Sequence, residues 1–145
     1  MFVKLFSELK QIYPALSGRI IGDGPQFALL EKLIAQNQLE KSLLLEGHLS
    51  RLDVLHLMTH SKILLHPSLF ESAGYVFLEA LAAGMKVVSF KTGYLPNVVG
   101  AYACDSEEAM RNALKSLLSY KQEYKPVQVI QVSETANAVF EVYKK

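Results

Sequence analysis

The chain has a single cysteine, Cys104, in 145 residues, so no internal disulfide can form, which fits a reducing compartment. An excess of charge of either sign is also missing: 15 basic residues face 14 acidic ones for a net +1, with no Lys/Arg cluster, so nothing electrostatic points to nucleic acid. No run approaches the roughly 18 to 20 apolar residues of a membrane-spanning helix. Residues 1–12 do not read as a signal peptide. Phe2, Leu5, Phe6, Leu9 and Ile12 recur at helical spacing with Lys4, Glu8 and Lys10 between them, as in an amphipathic helix packed on a domain. Internal repeats, low-complexity segments and linkers are absent. Half of the residues are hydrophobic, which at this length supports one domain with a real core.

Strand and helix signals alternate along the chain. Pro14 and Gly18 turn into a strand at 19–21, and after Gly22-Asp23-Gly24 a helix is expected to start with Pro25 at its first position and run to about Gln36. A strand at 43–46 follows, then a helix over 52–59 capped by Ser50 or Asp53, a strand at 63–66 and another at 86–90. A short strand at 101–104, a helix from Asp105 or Ser106 to about Tyr120, and a closing helix from Ser133 through Ala136, Val139, Phe140 and Tyr143 complete the reading. Pro126 leaves 121–132 ambiguous. This alternation predicts an α/β fold, a three-layer Rossmann-like parallel sheet of at least four strands covered on both faces. Ligands of such sheets bind at the C-terminal ends of the strands, where the loop at 92–96 is also expected.

Chemistry is concentrated between His66 and Gly84. The strand at 63–66 stops at Pro67, and Ser72 is the expected N-cap of a helix running to Gly84. The amides of Ala73, Gly74 and Tyr75 would then occupy the first turn, where no intrahelical carbonyl serves them and an anion such as phosphate is favoured. Tyr75, Val76, Phe77, Leu78, Ala80, Leu81, Ala82 and Ala83 make this helix apolar on every side, so it is expected to be buried almost all round, with Glu79 in its middle. A buried carboxylate needs donors. Glu79 shares a stripe with Tyr75 and Ser72, which aims it at the space before the helix start. Either a ligand or a neighbouring loop or basic side chain would satisfy it.

These residues resemble a known family. Glu71 and Glu79, preceded by Pro-Ser-Leu-Phe and followed by Ala-Leu-Ala-Ala-Gly-x-x-Val-Val, are similar to the donor-site signature of the family 4 retaining glycosyltransferases, whose fold is GT-B. The resemblance implies that Glu71 contacts the transferred sugar in the catalytic role. Glu79 would hold the ribose, and Ser72, Ala73, Gly74, Tyr75 and Val76 the diphosphate. Where the family usually has Gly-Phe-Gly, this chain has Ser72-Ala73-Gly74, which keeps backbone donors but bears on sugar selectivity. By the same resemblance Leu49 lines the plane of the base, with His48 or Arg51 at its rim. No metal and no other cofactor is implied. Residues 1–145 would be the nucleotide-sugar-binding domain, the C-terminal half of a GT-B fold, lacking its first strand and basic diphosphate loop and a preceding N-terminal acceptor domain. Such a chain is expected to be inactive by itself.

Partners implied by the resemblance are a nucleotide-diphosphate sugar and a glycan or lipid-linked acceptor, with a cytoplasmic location and peripheral contact of the full enzyme with the membrane's cytoplasmic face. Sugar, base and acceptor are not specified. Rival readings are a GT-B epimerase or phosphorylase, and a non-catalytic doubly wound nucleotide-binding or signalling module. Gly22-Asp23-Gly24 with Glu46 partly imitates a dinucleotide fingerprint but has Phe27 at the third glycine; a turn plus helix start is the better reading. His56 and His60, one helical turn apart, read as solvated or core side chains before metal ligands. His66 could orient the Glu71 loop or satisfy backbone groups, the second being the better reading, and Cys104 is expected to be a structural thiol before a nucleophile.

Overall fold

The computed structural model describes residues 1–70, 74–92 and 99–119. Five helices and five strands are described: α1 (Phe2–Ile12), β1 (Gly18–Ile21), α2 (Phe27–Gln36), β2 (Leu43–Gly47), α3 (Arg51–Thr59), β3 (Ile63–His66), α4 (Tyr75–Ala82), β4 (Lys86–Phe90), β5 (Ala101–Cys104) and α5 (Glu107–Ser119). Each expected strand up to residue 104 is present and all pairings are parallel. The expected closing helix from Ser133, the ambiguous stretch before it and most of the loop at 92–96 lie outside the described residues.

The amphipathic first helix buries Val3, Leu5, Phe6 and Leu9, while Ile12 at its end is exposed rather than packed. Pro25 does not open α2. It sits in a turn ahead of the cap Gln26, where the Phe27 amide donates to the Gly24 carbonyl at 2.9 Å. Ser50 caps α3, its Oγ accepting from the Asp53 amide at 3.2 Å, and Ser106 does the same for α5 through the Ala109 amide at 3.1 Å. Gly84, at φ +87°, ends α4 in a Schellman motif: its amide donates to the Leu81 carbonyl at 3.0 Å and that of Met85 to Ala80 at 2.9 Å.

The strands form two hydrogen-bonded ladders, β1–β2 and β3–β4–β5, where one continuous sheet was expected. Around the second ladder the three layers are complete. Ile63, Leu65 and Val88 pack with Leu5 and Leu9 of α1 and Met110, Leu114 and Leu117 of α5. Leu64 and Val87 point the other way, onto Met58 of α3 and Phe77, Ala80 and Leu81 of α4. The first ladder turns Ile20, Leu43 and Leu45 towards Val3 and Phe6 of α1 and Ile34 of α2. Its other face carries Ile21 and Leu44, both exposed, and an ion pair between Arg19 and Glu46. Glu46 is the extra residue of a bulge, since Ile20 is opposite Leu45 and Ile21 opposite Gly47.

Candidate functional site

Two loops leave the C-terminal ends of β2 and β3. The first leaves β2 at Gly47, whose φ of +69° makes a sharp turn, and passes His48 and Leu49 to the capped start of α3. His48 is exposed and Leu49 half-buried, an arrangement with a polar rim beside an apolar surface. The second loop leaves β3 at His66. Ser89 of β4, completely buried, donates from Oγ to the His66 carbonyl at 2.9 Å and fixes the end of that strand. The His66 ring stands edge-on to Phe77 with centroids 5.2 Å apart, so it anchors the strand end to α4 as well. Beyond Pro67 the loop turns on Ser68, whose Oγ donates to the Phe70 carbonyl at 2.6 Å, and Leu69 and Phe70 are exposed at its crest.

The start of α4 differs from the expectation. Gly74 rather than Ser72 is the N-cap, in the left-handed region at φ +69°, and the helix proper begins at Tyr75. A left-handed cap is least strained for a residue without a Cβ, which favours glycine at the loop's end, and the first-turn amides become those of Tyr75, Val76 and Phe77. The Phe77 amide is already used, donating to the Gly74 carbonyl at 2.9 Å. Glu71, Ser72 and Ala73 lie outside the described residues.

Nor is α4 buried all round. Phe77, Ala80 and Leu81 are in the core, but Tyr75 is 44% exposed and the Glu79 side chain 28% exposed. The Tyr75–Glu79 stripe thus faces away from the core. Glu79 Oε1 accepts a hydrogen bond from the Arg51 guanidinium at 2.6 Å, and Arg51 is the first residue of α3. This contact joins the two stretches singled out in the sequence, the one after β2 and the one after β3, across 28 positions. The pair itself was not foreseen, because no local spacing relates its members. Ser89 was also missed, although a lone hydroxyl in the strand Lys-Val-Val-Ser-Phe is a readable signal for a buried hydrogen bond.

Other candidates resolve simply. Cys104 is buried, and burial first, then the Asp105 carboxylate, push its thiol pKa up, the opposite of what a nucleophile needs. His56 and His60 are exposed, with rings 4.6 Å apart, and His60 Nδ1 lies 3.0 Å from the His56 carbonyl. Among the described residues no three His, Cys, Asp or Glu side chains cluster as metal ligands would. No described helix is long and apolar enough to cross a membrane.

The family model described as glycosyl transferases group 1 matches residues 1–129. The chain belongs to that family. Among curated relatives, a subunit of the human phosphatidylinositol N-acetylglucosaminyltransferase is 35% identical over 95 residues, 66% of this chain and 20% of that protein. The gpi3 subunit of the corresponding Schizosaccharomyces pombe enzyme is 31% identical over 111 residues, 74% of this chain and 24% of the relative. The chain therefore spans about a fifth to a quarter of the length of these relatives. Among solved structures, the pneumococcal O-GlcNAc transferase GtfA, in complex with UDP and GlcNAc, superposes with a TM-score of 0.77 over 99% of this chain and 31% of its own, at 21% identity. WaaG, a glycosyltransferase involved in lipopolysaccharide biosynthesis, gives 0.69 over 81% and 33% at 24% identity. At these identities the likeness establishes the fold, the C-terminal half of the GT-B architecture.

Proposed function

We propose that this group 1 chain is the donor-binding domain of a retaining glycosyltransferase, which moves a sugar from a nucleotide diphosphate to a glycan or lipid-linked acceptor. The observation that carries the reading is the placement of Glu79. Its carboxylate stands half-exposed one turn inside α4, at the strand edge where doubly wound sheets bind ligands, with Oε1 held by Arg51. Oε2 has no protein donor among the described residues, so the carboxylate retains acceptor capacity for a diol.

In this reading Glu79 accepts from the ribose and Arg51 keeps its carboxylate in place. Leu49 lies under the base with His48 at its rim. The backbone from Ser72 to Val76 donates to the diphosphate, and Glu71 orients the sugar. Charge developing on the leaving diphosphate would be stabilised by those amides, the electrostatic part of catalysis. The acceptor side belongs to the remainder of the relatives' length. The first curated relatives are named for transfer to phosphatidylinositol, which supports a lipid-linked acceptor; peripheral contact of the full enzyme with the cytoplasmic face of a membrane belongs to the same proposal.

Calorimetric titration of the chain with uridine, guanosine and adenosine diphosphates tests the reading. Saturable binding of one of them, with weaker binding of the other two, is expected. Failure to bind any would favour a non-catalytic module of the same fold.

A further inference from the structure

Among the described residues Ser89 is the one buried polar side chain, and it sits where the fold suits an apolar one. Side chains alternate along β4: Val88 points to α1 and α5, whereas Val87 meets Met58 of α3 and Phe77, Ala80 and Leu81 of α4. Ser89 therefore shares the face of Val87, beneath the α3–α4 layer. Alanine or valine would fill that place with no polar atom to satisfy. A buried hydroxyl carries a desolvation cost, which its hydrogen bond to the His66 carbonyl, at 2.9 Å, roughly offsets. Little net stability results. What the hydroxyl adds is direction.

The bond is an extra link from β4 to β3. The Lys86 amide donates to the Lys62 carbonyl and the Val87 amide to that of Gly100, so residues 86, 88 and 90 turn their peptide groups to β3, and residues 87 and 89 turn theirs to β5. Ser89 reaches His66, its partner in the last pair of the ladder, through the side chain alone. The carbonyl it holds belongs to the peptide joining His66 to Pro67. That peptide is planar, and the Pro67 ring fixes the next φ at about −65°, so orienting the carbonyl sets the direction in which the chain leaves the sheet.

The chain returns at Gly74, the cap of α4, and meets the same anchor there. The Phe77 amide donates to the Gly74 carbonyl at 2.9 Å, while the Phe77 ring, completely buried, meets the His66 ring edge-on at 5.2 Å. These contacts form a series from the Ser89 hydroxyl to the His66 peptide, from the His66 ring to Phe77, and from the Phe77 amide to the cap. The end of β3 and the first turn of α4 are thereby held against one another.

We propose that Ser89 is a positioning residue for the diphosphate subsite: its hydroxyl holds the His66 peptide, and the His66 ring in turn holds the first turn of α4, whose amides at Tyr75 and Val76 donate to the phosphates. The proposal rests on the nucleotide reading above and extends it to a residue buried beneath the site. Amides aimed at an anion act best when fixed before it arrives, because a turn that must be ordered on binding loses part of the interaction to its own ordering.

The experiment compares this chain with Ser89→Ala and Val88→Ala, using whichever of uridine, guanosine and adenosine diphosphate binds, followed by calorimetry, and the matching nucleoside, followed by amide chemical shifts. Val88→Ala removes two methyl groups from the other face of the same strand and should lower the melting temperature at least as far as Ser89→Ala does. Ser89→Ala should weaken binding of the diphosphate about tenfold, the equivalent of one charge-assisted hydrogen bond, and leave binding of the nucleoside unchanged. Val88→Ala should leave both unchanged. Without ligand, the Phe77 amide should exchange with solvent faster in Ser89→Ala than in Val88→Ala. Diphosphate affinity kept by Ser89→Ala, a loss shared equally by the nucleoside, the same loss in Val88→Ala, or equal exchange at Phe77 would overturn the proposal and leave the nucleotide reading in place. An unsubstituted chain that binds none of the diphosphates would overturn the nucleotide reading, and the proposal with it.

Discussion

Replacing Glu79 by glutamine separates a ligand-binding carboxylate from one that only holds the fold. The substitution keeps the shape of the side chain but removes its charge and trades an acceptor oxygen for donors. In the folded chain the visible loss is one bond to Arg51, and both partners are well solvated, with 79% of the Arg51 side chain and 28% of that of Glu79 exposed. Ion pairs this exposed contribute about 0 to 1 kcal/mol, because water screens the attraction and two long side chains must be ordered. A domain of this size loses about 2 to 4 °C of melting temperature per kcal/mol, so Glu79→Gln should lower it by no more than about 4 °C. Nucleotide binding should suffer far more. A hydrogen bond from a ribose hydroxyl to a charged acceptor is worth roughly 1.5 to 3 kcal/mol, a ten- to hundredfold loss of affinity. Paired measurements answer the question: thermal melts of both proteins without ligand, and calorimetric titration of both with the nucleoside diphosphate that binds. A melting temperature that falls by about 10 °C, well beyond what an exposed ion pair contributes, with affinity unchanged would refute the ribose role and leave Glu79 as a structural partner of Arg51.

Gly74→Ala forces a side chain into a left-handed cap at φ +69° and should cost about 1 to 2 kcal/mol in urea denaturation, with weaker diphosphate binding as the loop re-forms. Gly18→Ala would put a Cβ 2.6 Å from the Phe6 ring, inside the core under α1, and should cost about 1 to 3 kcal/mol; Phe6→Leu in the same chain should recover part of it. Glu107 has its carboxyl pKa lowered, chiefly by the hydrogen bond from Lys4 and also by Arg111. Its contribution to stability is therefore fully present above the unfolded carboxylate range and is lost as pH falls through the lower folded value. Glu107→Gln should flatten the acid limb of a stability-against-pH curve by lowering stability slightly in the neutral region, while the strongly acid region stays nearly unchanged.

Much of the fold was readable because its signals are local. Apolar runs bounded by glycine or proline gave strands to within a residue or two, and Ser50 and Ser106 marked helix starts through hydroxyls that reach amides three residues on. The misplacements are local contests with two contenders. Ser72 and Gly74 both suit a helix start, one through its hydroxyl and the other through its access to positive φ, and the loop resolves in favour of the backbone. Pro25 suits a first helical position and a turn equally, and it takes the turn.

Long-range relations were not readable at all. Nothing within 28 positions of sequence couples Arg51 to Glu79, and nothing in either strand says that β1 and β3 fail to pair. The error about Glu79 has the same origin. Composition counted every apolar residue of α4 as a burying one, but a helix at the sheet's ligand edge packs only the side that meets the sheet, through Phe77, Ala80 and Leu81. Tyr75 and Glu79 then share the side left over. An aromatic ring and a carboxylate kept half in water, one turn apart and beside a glycine cap, add little to the core. Their exposure is better explained by what approaches that edge than by what lies beneath it. An apolar substitution at Glu79 should cover that stripe at small cost to folding, the outcome expected if its charge serves the proposed nucleotide binding and not the core.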